Sequence, residues 1–288
     1  MPLLHLFFAI VVLAVWGSNF VVVHIGLERF PPFTFAALRF LLASVPLLVF
    51  VPRPKTSLAN VAAYGALFGC GQFGPIFYAM NGHVSPGLTS VLIQMQAFFT
   101  VGLAMLFNRE RPSRANFAAM AVSLAGVALI ATHSGRGADA LGIILVLMAA
   151  MAWAGANILV KRAGQVDMFA LVVWGSLCAL PPLGLMVMVF EGPATAFAAI
   201  IGADWIGWSA LAWQTLGNTL FGYGVWNWLL SRHSATQVAP MGLLVPVFGL
   251  SASAWFLGES LPSWKVAAAG LVMVGLVVNL RAQVGHRQ

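Results

Sequence analysis

Along this 288-residue chain, apolar residues come in long unbroken runs separated by clusters of proline, glycine and charge. The runs predict ten helical spans, at roughly 4–26, 33–51, 58–80, 86–107, 114–132, 140–160, 168–190, 208–230, 237–257 and 263–281. The breaks are chemically plain: Phe30-Pro31-Pro32 ends the first span and Pro52-Arg53-Pro54-Lys55 the second. Asn108-Arg109-Glu110-Arg111-Pro112 ends the fourth, and Gly135-Arg136-Gly137 the fifth. Hydrophobicity is spread all round each run and does not alternate every second residue. That favours helices over the strands of a membrane barrel.

Composition turns ten helices into ten membrane helices. Hydrophobic residues make up 61% of the chain and Asp, Glu, Lys and Arg only 7%, against roughly a quarter in soluble domains. So few charges could not cover a soluble surface, which excludes soluble enzymes, disordered chains and coiled coils. Ten spans of about 20 residues leave only short loops, with no room for a separate soluble domain. The net charge of +7 is scattered through loops and does not form one accessible face. It therefore reads as membrane-border Lys and Arg and not as a nucleic-acid surface. Cys70 and Cys178 lie in apolar runs and read as small buried hydrophobes. The first run lacks a basic leader and a small-residue cleavage site, so it is expected to be a retained helix.

Lys and Arg positions predict orientation. The loops on the N-terminal side hold Arg53, Lys55, Arg109, Arg111, Arg114, Lys161, Arg162 and Arg232, and the tail adds Arg281 and Arg287. The other side holds Arg29, Arg136 and Lys265. Ten against three predicts both termini in the cytoplasm.

The two halves, 1–135 and 136–288, also repeat. Phe107-Asn108-Arg109-Glu110-Arg111-Pro112-Ser113 leads into an Ala-rich helix with Gly126. Phe256-Leu257-Gly258-Glu259-Ser260-Leu261-Pro262-Ser263 leads into another with Gly275. Phe, Glu and Gly each recur 149 positions later. Trp16-Gly17-Ser18-Asn19 loosely matches Trp153-Ala154-Gly155-Ala156-Asn157. Five spans per half is odd, so the second half enters the membrane the other way up. Such an inverted repeat is found in many secondary transporters.

On these residues the chain resembles the drug/metabolite transporter superfamily in its ten-helix EamA-type branch. The matching pieces are Trp16-Gly17-Ser18-Asn19-Phe20, Arg39, Phe107-x-x-Glu110, Trp153 and Phe256-Leu257-Gly258-Glu259. Within the branch it looks most like the YddG-type amino-acid exporters. That resemblance implies a bacterial inner-membrane exporter of aromatic and other neutral amino acids. It also implies a central cavity lined by the first, third, fourth, sixth, eighth and ninth spans.

Polar groups inside lipid are costly unless they face a cavity or a partner. Those deep in the spans are Asn19, Gln72, Tyr78, Gln94, Gln96, Asn157, Gln214 and Asn218, with Thr89, Ser90, Thr100, Tyr223 and Asn227 beside them. Gln214 and Asn218 are four apart and share a helix face, as do Ser90 and Gln94. Gln94 and Gln96 point apart. Amides donate and accept at once, which suits a zwitterion; interhelical bonding is the alternative use. Trp153 and Trp213 are candidates to stack on an aromatic cargo, with Trp16 open between stacking and packing. Trp205, Trp208 and Trp264 read as interface anchors. Gly71, Pro75, Pro240 and Pro246 are candidate bends or gates, Pro75 freeing a carbonyl near Gly71. Gly65-x-x-x-Gly69 reads as a close-packing seam.

No Asp or Glu lies deep in a span. Proton-driven exporters commonly place a carboxylate there. Uncoupled facilitation by alternating access is therefore expected, with His24 as the one candidate proton site and proton-coupled efflux of nucleosides, sugars or drugs as the alternative. Arg39 is the one intramembrane cation. It would attract a carboxylate substrate, or, as the resemblance implies, pair structurally or snorkel. An intramembrane enzyme is disfavoured: no His-Glu-x-x-His, Ser/Lys or paired-Asp set occurs in the spans. No cofactor or metal is expected. The expected partners are a small neutral solute and the lipid bilayer, with no nucleic acid, and a monomer suffices.

Overall fold

The computed structural model describes residues 2–108, 114–133, 135, 137–164, 166–233 and 238–285. Among them the chain is all helix, with one isolated bridge between Val84 and Ala138. Six helices are long and apolar enough to cross a membrane: Leu3–Leu27, Pro86–Phe107, Arg114–Thr132, Ala140–Ala163, Met168–Glu191 and Ser263–Ala282. A seventh counts if the bent pair Pro193–Gly202 and Trp205–Trp226 is one span.

The helices are α1 (Leu3–Leu27), α2 (Pro32–Ser44), α3 (Leu58–Gly65), α4 (Gly74–Met80), α5 (Pro86–Leu92), α6 (Gln96–Asn108) and α7 (Arg114–Thr132). They continue as α8 (Ala140–Ala163), α9 (Met168–Met186), α10 (Pro193–Gly202), α11 (Trp205–Ala212), α12 (Gly222–Arg232), α13 (Leu244–Leu257) and α14 (Ser263–Gly285). Several predicted spans are thus broken rods. The third is α3 and α4 joined by a π stretch, Ala66–Phe73. The eighth is α11 and α12 joined by another, Trp213–Phe221. The fourth and ninth carry 3-10 turns at Ile93–Met95 and Ala239–Leu243. The second passes from α-helix into a 3-10 turn at Val45–Leu47, short of the expected 51. The eighth starts three residues earlier than expected, at Trp205.

One helix was not anticipated. Pro193–Gly202 is too short to span and meets the next rod at 102°. Gly192 precedes it with φ +80°, a conformation that favours glycine. It forms because Pro193 suits a first helical position and the apolar, Ala-rich run behind it continues only as far as Gly202.

Helix ends are fixed by side chains. Ser57, Ser85, Asp139, Asp167 and Asp204 each cap the helix that follows. The Glu191 carboxylate accepts from Phe33 N at 2.6 Å, Thr34 N at 2.9 Å and Thr34 Oγ1 at 2.6 Å, so it caps α2 from the far end of the α9 rod. Glu259 accepts from Ser85 Oγ, from Gly87 N at 3.1 Å and from Lys265 Nζ at 2.8 Å. It thereby ties the α13–α14 corner to the start of α5.

Small residues set the close contacts. A Cβ on Gly65 would strike the Gly175 carbonyl and one on Gly69 would strike Ala179, so the expected seam is the α3–α9 contact. α7 and α14 cross in a reciprocal way. A Cβ on Gly126 would meet Ala268 O and Val272, and one on Gly275 would meet Ser123 and Ala119 O. Ser123 donates to Val272 O at 3.3 Å and Asn116 Nδ2 to Asn279 Oδ1 at 2.8 Å. The Phe107–Glu110 corner lies mostly outside the described residues, Glu110 wholly so.

Candidate functional site

Polar side chains inside the bundle collect where α1 and α2 meet the π stretches Ala66–Phe73 and Trp213–Phe221. Gln214 Nε2 donates to Asn19 Oδ1 at 2.7 Å, and both side chains are buried. Trp16 Nε1 donates to the Asn218 carbonyl at 3.2 Å, so the first and eighth rods are joined twice. Thr219 Oγ1 donates to the Gln214 carbonyl at 2.8 Å, five residues back, as π bonding allows. The same Oγ1 accepts from Arg39 Nε at 3.2 Å and Nη2 at 3.1 Å.

Arg39 has no exposed surface, so it does not snorkel. Its guanidinium carbon lies 3.8 Å from the Phe73 ring centroid and 5.3 Å from that of Phe40. Pairing through a hydroxyl and two ring faces, with no carboxylate among the described residues, is an unusual setting for a buried cation.

Aromatic rings enclose this polar patch. Phe68 touches Phe40, Tyr64, Phe73, Trp153 and Tyr223, with centroids 5.3–5.7 Å apart. Trp16 meets Tyr223 at 5.4 Å and Trp226 at 5.2 Å. Four buried polar atoms here have no hydrogen-bond partner: Arg39 Nη1, Tyr64 OH, Gln72 Oε1 and Gln214 Oε1. Leaving such atoms unpaired costs about 1–3 kcal/mol each. A polar ligand is one way to satisfy them.

Of the expected site residues, Asn19, Trp153, Gln214 and Asn218 belong to this region, and Gln72 is buried on the π stretch that also carries Phe73. Gln94, Gln96 and Asn157 are half-buried on neighbouring rods, Gln94 within the 3-10 turn. Tyr78 lies elsewhere, stacked on Phe33 at 5.7 Å and His83 at 5.7 Å. Trp213 points away too, lining a groove of about 490 Å³ with Val11, Ser18, Phe248 and Trp255. His24 is half-buried, 3.9 Å from Glu28 at the end of α1. Gly71 packs on Ala152. Pro75 opens α4 just after the π stretch, where a missing donor loosens the α register. Pro246 is buried in α13, and Pro240 sits in the 3-10 turn before it. Tyr64 and Thr219 were not anticipated. Tyr64 is one of only three tyrosines, which is a signal; Thr219 carries none, since its role depends on a partner 180 positions away.

No group of three or more His, Cys, Asp or Glu is placed to hold a metal among the described residues. The family model for EamA-like transporters matches residues 3–132 and again 140–281. The chain belongs to the EamA-like transporter family. It is 38% identical over 280 residues to a probable amino-acid metabolite efflux pump of Salmonella typhimurium, covering 95% of this chain and 94% of the relative. The Escherichia coli protein of that description is 36% identical over 278 residues, covering 94% and 93%. A probable terminal-alkyne amino-acid exporter of Streptantibioticus cattleyicolor is 29% identical over 287 residues, covering 95% and 92%. A crystal structure at 18% identity superposes with TM-score 0.62 over 96% of both chains, which shows the shared fold. This EamA protein is thus a multi-pass membrane transporter.

Proposed function

We propose that this EamA protein exports small neutral metabolites across a bacterial inner membrane, above all aromatic and other neutral amino acids. The observation that carries the reading is the buried patch around Asn19 and Gln214, with Gln72 buried on the π stretch Ala66–Phe73. It offers unpaired amide oxygens and aromatic walls, and the carboxylates among the described residues lie at helix ends, not deep in the rods. The efflux-pump relatives support the same cargo class.

The mechanism we infer is alternating access between two inverted five-span halves, 1–135 and 136–288, with both termini cytoplasmic. Three observations support it. The family model matches the chain twice. The α7–α14 contact is reciprocal: Gly126 meets Ala268 and Val272 while Gly275, 149 positions on, meets Ala119 and Ser123. A two-fold axis between the helices produces that exchange of partners. The π stretches Ala66–Phe73 and Trp213–Phe221 fall in corresponding rods of the two halves, as do the 3-10 turns Ile93–Met95 and Ala239–Leu243, whereas the second rod ends in a 3-10 turn and the seventh in a π stretch, Val187–Glu191.

Transport is uncoupled in this reading, because the described rods supply no proton-carrying carboxylate. In proteoliposomes, labelled neutral amino acids leave without an imposed pH gradient. Strict dependence on a proton gradient defeats the uncoupled mechanism. Normal transport by alanine variants of Gln72, Gln94, Asn157, Gln214 and Asn218, all at equal expression, defeats the site.

A further inference from the structure

Among the described residues, no carboxylate pairs with the buried Arg39 to balance its charge. Every described carboxylate is engaged at a helix end. Glu28 and Asp204 bind Arg29, Asp139 binds His83, Glu191 caps α2, Asp167 caps α9 and Glu259 binds Lys265. Arg39 instead stands seven residues into α2, about 10 Å below its first turn. Two of its three nitrogens share one threonine hydroxyl, and Nη1 has no partner.

The other unpaired atoms around it complete a pattern. Tyr64 stacks on Phe68 at 5.3 Å, and Phe68 meets at 5.5 Å the Phe73 ring over which Arg39 lies at 3.8 Å, so those two unpaired donors share one neighbourhood. The unpaired acceptors are Gln72 Oε1, on the π stretch that carries Phe73, and Gln214 Oε1, on the residue whose carbonyl holds Thr219. Two free donors, one of them cationic, and two free acceptors match the carboxylate and the ammonium of an α-amino acid. Nucleosides and sugars supply no carboxylate.

We propose that Arg39, assisted by Tyr64, binds the substrate α-carboxylate, and that the Gln72 and Gln214 carbonyls accept from its α-ammonium. This rests on the amino-acid reading above and names the groups that read the amino-acid backbone. Thr219 then holds the guanidinium in place and leaves Nη1 for the ligand. The Phe68, Trp153 and Tyr223 rings are left to face the side chain.

The test is competition for labelled phenylalanine transport by the full-length protein in proteoliposomes. The competitors are unlabelled phenylalanine and phenylalanine amide, which keeps the ring and amine but has no carboxylate. Wild type is expected to prefer the acid to the amide by at least about 10-fold, the range of a hydrogen bond to a charged group. In Arg39→Met the acid weakens about 10- to 100-fold, the amide is unchanged and the preference disappears. Arg39→Lys falls between, and Tyr64→Phe weakens only the acid, a few-fold. An Arg39→Met protein that keeps the preference overturns the proposal. So does a wild type that accepts the amide as well as the acid, a result that does not depend on any variant folding. A wild type that moves nucleosides or sugars but no amino acid overturns the amino-acid reading and this assignment together. Amino-acid transport without acid-over-amide preference overturns this assignment alone.

Discussion

At the scale of single residues, the amide pair carries more than its one hydrogen bond. Asn19→Leu would leave Gln214 with both head-group atoms unpaired in a buried setting. One further unpaired buried atom costs about 1–3 kcal/mol, so melting is expected to fall modestly while transport falls strongly. Melting in detergent beside flux in liposomes separates the two effects. Arg39 shows what a sequence can and cannot convey. Its charge inside an apolar run was legible, and so was the wish for a partner. That the partner is a hydroxyl on Thr219 was not, because neither residue's neighbours in sequence encode the other. Charged caps give a pH expectation. The Asp139 carboxyl is held below the usual range by Gly142 N–H and His83, and the Asp204 carboxyl by Gly207 N–H and Arg29. Their contribution is complete above the ordinary carboxylate pKa and is lost as pH falls through the lowered values. Thermal stability should therefore stay flat through neutrality with respect to these groups and drop only in acid. Asp139→Asn should flatten part of that acid drop.

At the scale of elements, hydrophobic runs predicted where the rods lie, and the prolines and charges predicted where they end. The internal breaks were less legible. Whether a rod bonds i to i−4 or i−5 depends on what its flanks pack against, not on a residue code, so the π stretches Ala66–Phe73, Val187–Glu191 and Trp213–Phe221 were invisible apart from the hint at Pro75. Pro193–Gly202 was read as part of a connection because it is too short to form a span. The Glu259 tie is an element-scale device. It joins the α13–α14 corner to α5 and pairs with Lys265, which is nearly without exposed surface. Removing one member of a buried pair costs roughly 3 kcal/mol, more than removing both. Glu259→Gln should lower the melting temperature clearly, and adding Lys265→Met should restore much of the loss. Equal melting of the single and double variants contradicts the pairing.

At the scale of the whole molecule, the repeat reading makes a symmetric demand. Gly126 and Gly275 occupy corresponding places on either side of the α7–α14 crossing. Gly126→Val and Gly275→Val should then destabilise by similar amounts, each pushing apart two helices in backbone contact. Melting points that differ widely between the two variants count against a shared two-fold axis. The Phe-x-x-Glu corner was the sequence sign of this repeat. The structure describes its second copy, and the first, with Glu110, falls outside the described residues.

The π stretches have one more consequence. A segment bonded to the fifth residue back holds its chain slightly underwound, so it stores about one residue of slack. Releasing that slack into ordinary α register turns everything beyond it by about 100°, one residue's step around the axis. Gln72 and Phe73 ride on one such segment, and Gln214, Asn218 and Thr219 on another. These groups are therefore mounted on parts of the bundle that can be re-aimed by rewinding, without sliding a whole helix through the lipid.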